Sequence, residues 1–514
     1  MSLVISGRIV PLTQDTAVAA TEREAFAGKV WIGDDGRIER ITRGNAAGPA
    51  GFDQAPAIDV GSDLVLPGFV DLHSHLAYAT LPLWTEPGRT IPFLHHDAWP
   101  SARTYAADIT WPAYAFIEAA PQELLAYAEV RALVGGTTSI QGSPPKNRPL
   151  DGWMVRNVED DSFGGSVKSN QVLSSTLTLK PDVLASRAAQ MKAGASFIYH
   201  CAEGQVNSIV EREYQSARKC GCLQRGFVAI HTNAVNPGDY GAWTEPGAIV
   251  WSPFSNLWLY GSTTDVPSAL ASGIPVCVGS DWGPSGTRNV LGELKVAALV
   301  SQAKGWGLTP FDLLRMITCV PGDALLRAWG VQAGRLQPQA LGDVVVIDAA
   351  SQADPFATVL AATEKDVRFV AVGGRPLYGE PVLMKTAKAS APSALRIAGR
   401  KRTLSMVRLD DPSQPWDFAE VLARMEQVRA APKQEIDAAK KAFAASRGTG
   451  GPPRLRLALD MPLGKVPIGG LPKDLAQVVV PPLQPLEHDA AFFAAIPGRG
   501  FHGGLLDGLA AFYA

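Results

Sequence analysis

The chain has 514 residues, enough to bury a large core and hold two or three domains. Hydrophobic residues at 46% and charged residues at 19% exclude a disordered chain and fit a globular one. A net charge of -2 gives no footprint for nucleic acid or an anionic membrane, and no apolar run reaches the about 18 residues that span a bilayer. The opening MSLVISGRIVPL lacks the charged region and cleavage signature of a secretory signal and reads as a first strand. Residues 1–66 continue in short alternating runs, with Asp34-Asp35-Gly36 as a hairpin turn between two of them. Five cysteines (Cys201, Cys220, Cys222, Cys277, Cys319) are odd in number and lack zinc-ribbon spacing, so reduced thiols in a cytoplasmic protein are expected. The expected partner is a small-molecule substrate, with homo-oligomer formation left open.

From 67 to 330 strand patterns alternate with helical ones. LVLPGFVDLHSHL, TTSIQGS, FIYHCAE, FVAIHTN, AIVWSPFSN and PVCVGSDWG read as strands, separated by helical stretches such as 121–134 and PDVLASRAAQMKAG. Repeated strand–helix units over about 250 residues favour a parallel (β/α)8 barrel of TIM type, with catalytic groups at the C-terminal strand ends. An open doubly wound sheet is the competing α/β architecture, but no GxGxxG follows a strand. A second β-rich stretch, 331–385, suggests a composite β-sandwich domain built with 1–66 from both ends of the core. Residues 386–514 form a C-terminal extension of unknown role, with a helix expected from Trp416 to Ser446 and a Gly/Pro-rich stretch after it.

Only eight histidines occur, and four of them head strand-end motifs. In a strand, residues two apart share a face, so His73 and His75, with Asp71 before them, should project together. His73, His75, His200 and Asp281 then supply three imidazoles and a carboxylate from three strand ends, a suitable set for one divalent metal, zinc or iron. Glu203, three residues after His200, should reach the substrate without ligating and act as general acid/base. His231 reads as a further ligand or, preferably, as the group that hydrogen-bonds the attacking water and polarises the substrate. Asp281 could ligate and also accept the water proton.

PGFVDLHSHL, HCAEG, AIHTN, WSPFSNLWLYG and GSDW, in that order, resemble the amidohydrolase superfamily, most closely its cytosine-deaminase and atrazine-chlorohydrolase-like branch. The resemblance covers about 1–385. It implies one zinc or iron held by HxH, the His of HxxE and a late-strand Asp, with Glu203 as proton shuttle and His231 at the substrate. GRLQPQALGDVVVIDA and VRFVAVGGRPLYG look like the family's split β-sandwich, with Gly342-Asp343 where Ala-Asp is common. The first loop, LAYATLPLWTEPGRTIPFLHHDAWPSARTY, departs from the usual deaminase sequence, so no substrate follows from it. Lys180, at the end of VLSSTLTLK, stands where two-metal members carry a carboxylated lysine.

The pocket above the metal should come from the strand–helix loops. Trp84, Phe93, His95, His96 and Trp99 come from the first, Trp258 and Tyr260 from the seventh, and Trp282, Ser285 and Arg288 from the eighth. Such rings suit a planar or cyclic substrate, and Arg288 an anionic group. The function expected is metal-dependent hydrolysis of a non-peptide C–N bond, by deamination or amide/cyclic-amide cleavage. The alternatives are displacement of another leaving group on a ring, a two-metal amidohydrolase, or a non-catalytic metal-binding barrel. The presence of Glu203 argues against the last, since binding alone needs no proton shuttle.

Overall fold

A computed structural model describes residues 2–142, 153–159, 171–349, 353–446 and 478–514. Its strands, in chain order, begin with β1 (Leu3–Ile9), β2 (Phe26–Ile32), β3 (Ile38–Arg43), β4 (Ala57–Pro67), β5 (Phe69–Asp71) and β6 (Thr137–Ile140). They continue with β7 (Arg156–Asn157), β8 (Val172–Ser175), β9 (Ser196–Cys201), β10 (Phe227–His231), β11 (Ala248–Trp251) and β12 (Val276–Val278). The last are β13 (Val344–Ile347), β14 (Val367–Val372), β15 (Arg375–Gly379), β16 (Pro392–Ile397) and β17 (Arg400–Ser405).

The alternating N-terminal runs pair as the sequence suggests. β2 and β3 are antiparallel across the Asp34–Gly36 turn, where Gly36 takes a left-handed φ of 76° that glycine adopts without a Cβ clash. β4 pairs parallel with β1 and antiparallel with β13, joining the N-terminal strands to those after residue 343 in one nine-stranded sheet, β16-β17-β15-β14-β13-β4-β1-β2-β3. β16 and β17 thus carry this sheet past residue 385.

β4 runs directly into β5 through Gly68, where a Cβ would lie 2.1 Å from Thr138 Oγ1, so only glycine fits. β5 begins a set of parallel strands in two hydrogen-bonded groups, β5-β6-β7 and β8-β9-β10-β11-β12. The far ends of these groups meet. Ser74 bridges Asp281 in parallel sense, and Asp281 N donates to His73 O at 2.8 Å. Gly279 permits this approach, because a Cβ there would sit 2.7 Å from His73 Cβ. Val70, Leu72, Ile198, Val228, Ile230 and Val250 pack together on one face of these strands, whereas Phe197, Tyr199, Phe227 and Ala229 join the large cluster that includes the helices.

Two expectations shift. The strand at VLSSTLTLK ends at Ser175, and Lys180 lies beyond it, exposed at the N-cap of helix Pro181–Lys192. The helix expected over 416–446 is two, Phe418–Ala430 and Pro432–Ser446. Pro432 lacks an N–H and disfavours helical backbone at the residue before it, where Ala431 sits at φ -143° and ψ 59°. The Gly/Pro-rich stretch at 447–474 lies outside the described residues. All five cysteines are free thiols, and among the described residues no helix is long and apolar enough to cross a membrane.

Candidate metal centre and active site

The strand ends above this sheet carry unusual backbone. Ala202, His231, Thr232 and Asp281 all have positive φ, at 57°, 68°, 55° and 63°. Such conformations cost of order 1–3 kcal/mol each in non-glycine residues and cluster at functional sites. At His231 the consequence is directional. Strict alternation would give it the face of Phe227 and Ala229, and the left-handed backbone breaks that alternation as the strand ends.

His73, His75, His200, His231 and Asp281 converge. Asp281 Oδ1 lies 2.9 Å from His73 Nε2 and 3.5 Å from His75 Nε2, and the His73 ring centroid is 4.6 Å from His200 and 4.9 Å from His231. Two overlapping triads, His73/His200/His231 and His73/His75/Asp281, offer donor atoms all within 4.8 Å of one another. His200 Nε2 and Asp281 Oδ2 are buried without a hydrogen-bond partner among the described residues, a costly arrangement unless a cation takes the lone pairs. Burial holds His200 and His231 well below the usual imidazole range, giving the neutral form a metal requires. Burial would raise Asp281, but the facing imidazoles of His73 and His75 outweigh it and hold the carboxyl well below its ordinary value. The donor set therefore fits one divalent cation. Lys180, at the N-cap of its helix, is exposed rather than buried like His73, His200, His231 and Asp281.

Asp71 does not join the cluster with the histidines. It accepts hydrogen bonds from His73 N at 3.1 Å and Ser280 N at 3.3 Å, tying the end of β5 to the segment after β12. Glu203 stands beside the donors and outside both triads, with Oε2 3.6 Å from His231 Nε2. Burial, with the Asp281 charge adding to it, pushes Glu203 up to about 7 against the opposing pull of His96. That value suits a group that must both take and return a proton near neutrality.

The hydrogen-bond chain behind His231 assigns its tautomer. Trp251 Nε1 donates to Thr263 Oγ1 at 2.7 Å, Thr263 can pass its proton to Asn256 Oδ1 at 3.4 Å, and Asn256 Nδ2 then donates to His231 Nδ1 at 3.1 Å. With Nδ1 accepting, the ring proton sits on Nε2, which faces Glu203 and, at 3.9 Å, Asp281 Oδ2.

His75, His200, Glu203, His231 and Asp281 line one cavity, which Tyr78, His96, Trp99, Trp282 and Ser285 also wall. Trp99 and Trp282 lie nearly face to face, with centroids 4.9 Å apart and planes at 31°. His96 is held by Glu213 at 3.1 Å; burial alone would lower it, but this bond outweighs burial and raises it to about 9. Of the expected pocket residues, then, His96, Trp99, Trp282 and Ser285 reach the cavity. Trp84, His95, Trp258 and Arg288 do not. Trp84 turns its Nε1 to Asp108, and His95 pairs through its backbone with Gly204. Trp258 donates to Trp84 O at 2.7 Å and stacks on His502, with ring planes 5° apart. Arg288 is buried against Asp489 and Gln484 of the C-terminal extension rather than facing a ligand. Sequence reading did not single out Asn256 or Glu213; their only sequence signal is a polar residue in an otherwise buried segment, which many structural residues share.

No family model matches the chain. A 5-methylthioadenosine/S-adenosylhomocysteine deaminase of Natronomonas pharaonis is 25% identical over 358 residues, covering 62% of this chain and 82% of that protein. Among solved structures, a triazine hydrolase variant aligns at a TM-score of 0.61 and 15% identity, covering 83% of this chain and 99% of its own. In sequence and in fold the chain is similar to deaminases and hydrolases of the amidohydrolase superfamily. An adenosine deaminase from Xanthomonas campestris with bound zinc shares the fold at a TM-score of 0.57 and 15% identity, covering 84% and 98% of the two chains. These superfamily neighbours have mixed α/β folds of TIM-barrel type.

Proposed function

We propose that this amidohydrolase cleaves a non-peptide C–N bond in a small cyclic substrate with water, most simply by deaminating an aminated heterocycle. The observation that carries this reading is Glu203. It is a buried carboxyl pushed up to about 7, outside both donor triads, lining a cavity walled by Trp99 and Trp282. His73, His75, His200 and Asp281 would hold one zinc or iron, which when bound acidifies a water and polarises the substrate. Glu203 takes a proton from the attacking water and returns it to the leaving nitrogen, which departs as ammonia. His231 offers its Nε2 proton to the oxygen on which charge develops. Trp99 and Trp282 stack on the ring, and His96 supplies a donor on the first-loop side. The named activity of the Natronomonas relative supports deamination of an adenine ring.

The architecture proposed with this function joins β5–β12 into one closed (β/α)8 barrel over 67–330. Residues 1–66 and 331–385 form the composite β-sandwich domain, to whose sheet the extension 386–514 adds β16 and β17. The expected location is the cytoplasm. The test is ammonia or amine release from a panel of adenosine, 5-methylthioadenosine, adenine, cytosine, amino-triazines, cyclic ureas and N-acyl compounds, with zinc- or iron-loaded protein. The reading expects ammonia from at least one aminated heterocycle, abolished by a chelator and restored by the metal. Release of halide or alcohol from a ring, without ammonia or amine, would move the chemistry to another leaving group. No turnover of any panel member by metal-loaded protein would contradict the reading.

A further inference from the structure

Glu203 is held by a hydrogen-bond relay that spans two segments distant in sequence, the turn at Trp99–Ser101 and the end of helix Pro253–Tyr260. Trp99 Nε1 donates to Tyr260 Oη at 3.0 Å, and Tyr260 Oη lies 2.6 Å from Glu203 Oε1. An indole nitrogen only donates and a phenol carries a single proton, so the direction is fixed: Tyr260 accepts from Trp99 and gives its proton to Glu203. Both rings are buried, at 8% and 1% exposure, which leaves little room for water to replace either bond. The first loop is also strapped to the Glu203 segment by backbone. His96 N donates to Glu203 O at 3.1 Å, and Gln205 N to Leu94 O at 2.8 Å. The second carboxylate oxygen, Oε2, faces His231 Nε2.

We propose that Tyr260 is a positioning residue that reserves Glu203 Oε1 and so confines proton transfer to Oε2, and that Trp99 couples this clamp to the aromatic wall on which substrate stacks. The proposal rests on Glu203 serving as the proton shuttle. An unrestrained carboxylate offers about four lone-pair sites on two oxygens, and only those aimed at the reacting atoms are productive. The clamp works in both protonation states. When water gives its proton to Oε2, Oε1 becomes the carbonyl oxygen and still accepts from Tyr260. When Oε2 passes that proton to the leaving nitrogen, the carboxylate is restored with the same partner. Burial keeps the Tyr260 phenol well above its ordinary value, so it stays a donor throughout. Trp99 adds a dependence on the pocket, since the indole that anchors Tyr260 lies nearly face to face with Trp282.

The test compares Tyr260→Phe, Trp99→Phe, Glu203→Gln and the Tyr260→Phe/Glu203→Gln pair in metal-loaded protein, with the aminated heterocycle that releases most ammonia in the panel above. Tyr260→Phe should keep its metal, lower kcat about 10–100-fold and leave KM within about threefold, the scale of lost support for a catalytic group. Trp99→Phe, which keeps a ring on the wall, should lower kcat in the same direction by less. In the Glu203→Gln background Tyr260→Phe should cause no further loss, because it acts through that carboxylate. A readout without substrate is the Trp99 indole 15N–1H resonance, assigned from Trp99→Phe. It should move in both Tyr260→Phe and Glu203→Gln, although Glu203 does not touch the indole. Wild-type kcat in Tyr260→Phe alongside an inactive Glu203→Gln overturns the proposal and leaves the proton-shuttle reading standing. Additive losses in the double variant, or an indole resonance unmoved in Glu203→Gln, overturn it as well. Wild-type turnover in Glu203→Gln would instead overturn the shuttle reading itself. Should Tyr260→Phe lose metal or fold, Trp99→Phe and the indole resonance in Glu203→Gln decide.

Discussion

His73, His75, His200 and Asp281 come from strand ends, whereas Trp84, Trp99, Trp258 and Trp282 come from the loops, turns and the short helix that follow them, and the two sets are specified differently. A strand-end side chain is placed by its own ladder: β9 pairs with β10 residue by residue, from Phe197 opposite Phe227 to Cys201 opposite His231. A loop ring is placed by whatever it meets across the molecule. Trp258 is pinned by Trp84 O in front and by His502 and Gly500 of the C-terminal extension behind. Chemistry at the strand ends is therefore set by local rules, and the shape of the pocket by long-range packing. That packing includes residues 484–513, which hold the loop after β12 through Arg288 and reach the first loop through Arg499, whose Nη2 donates to Leu83 O at 3.3 Å.

The sharpest way to break this comparison is at the strand ends. His73→Ala should lose metal and activity together, read by metal analysis and ammonia release, because His73 belongs to both donor triads. Next is Glu203→Gln, a nearly isosteric change that should keep the metal and lower kcat by about 10²–10⁴-fold, the usual contribution of general acid–base catalysis. The pH dependence follows from the same group. Water activation needs the carboxylate, and the carboxyl sits at about 7, so kcat/KM should fall as pH drops below about 7, by about tenfold per unit. An acid limb near the ordinary carboxylate value would mean that Glu203 is not the base.

Smaller effects should divide the loop residues into two kinds. Trp282→Ala removes a ring from the cavity wall and should raise KM several-fold, a stacked aromatic contact being worth about 0.5–1.5 kcal/mol. Arg288→Ala should leave KM unchanged and lower Tm instead, since its guanidinium serves Asp489 and Gln484; about 1–3 kcal/mol of stability is at stake. A large KM effect from Arg288→Ala, with Tm unchanged, would return it to the substrate side.

Much of the metal centre was legible because alternation, strand-end placement and the scarcity of histidine all point to the same residues. His231 was only half legible: its spacing marked it as important, but its tautomer depends on Asn256, and its direction on a left-handed backbone that alternation does not foresee. Asp71 stands beside His73 as alternation suggests, but its further hydrogen bond from Ser280 N depends on a segment 209 residues away that alternation does not reach. The break at Pro432 is written in the chain, although the helical pattern continues on both sides of it. Arg288, Trp84 and Trp258 could not be sorted from Trp282 by residue type. What separates them is contact with chain segments hundreds of residues away.

The central claim is one metal held by four strand-end residues, with Glu203 beside it and not on it. Metal stoichiometry of purified, metal-reconstituted wild-type and Glu203→Gln protein, with Lys180→Ala as the two-metal control, tests it most directly. The account predicts one equivalent of zinc or iron per chain in all three, with ammonia release lost only in Glu203→Gln. No tightly bound metal in the wild type, two equivalents falling to one in Lys180→Ala, or loss of metal in Glu203→Gln would contradict it.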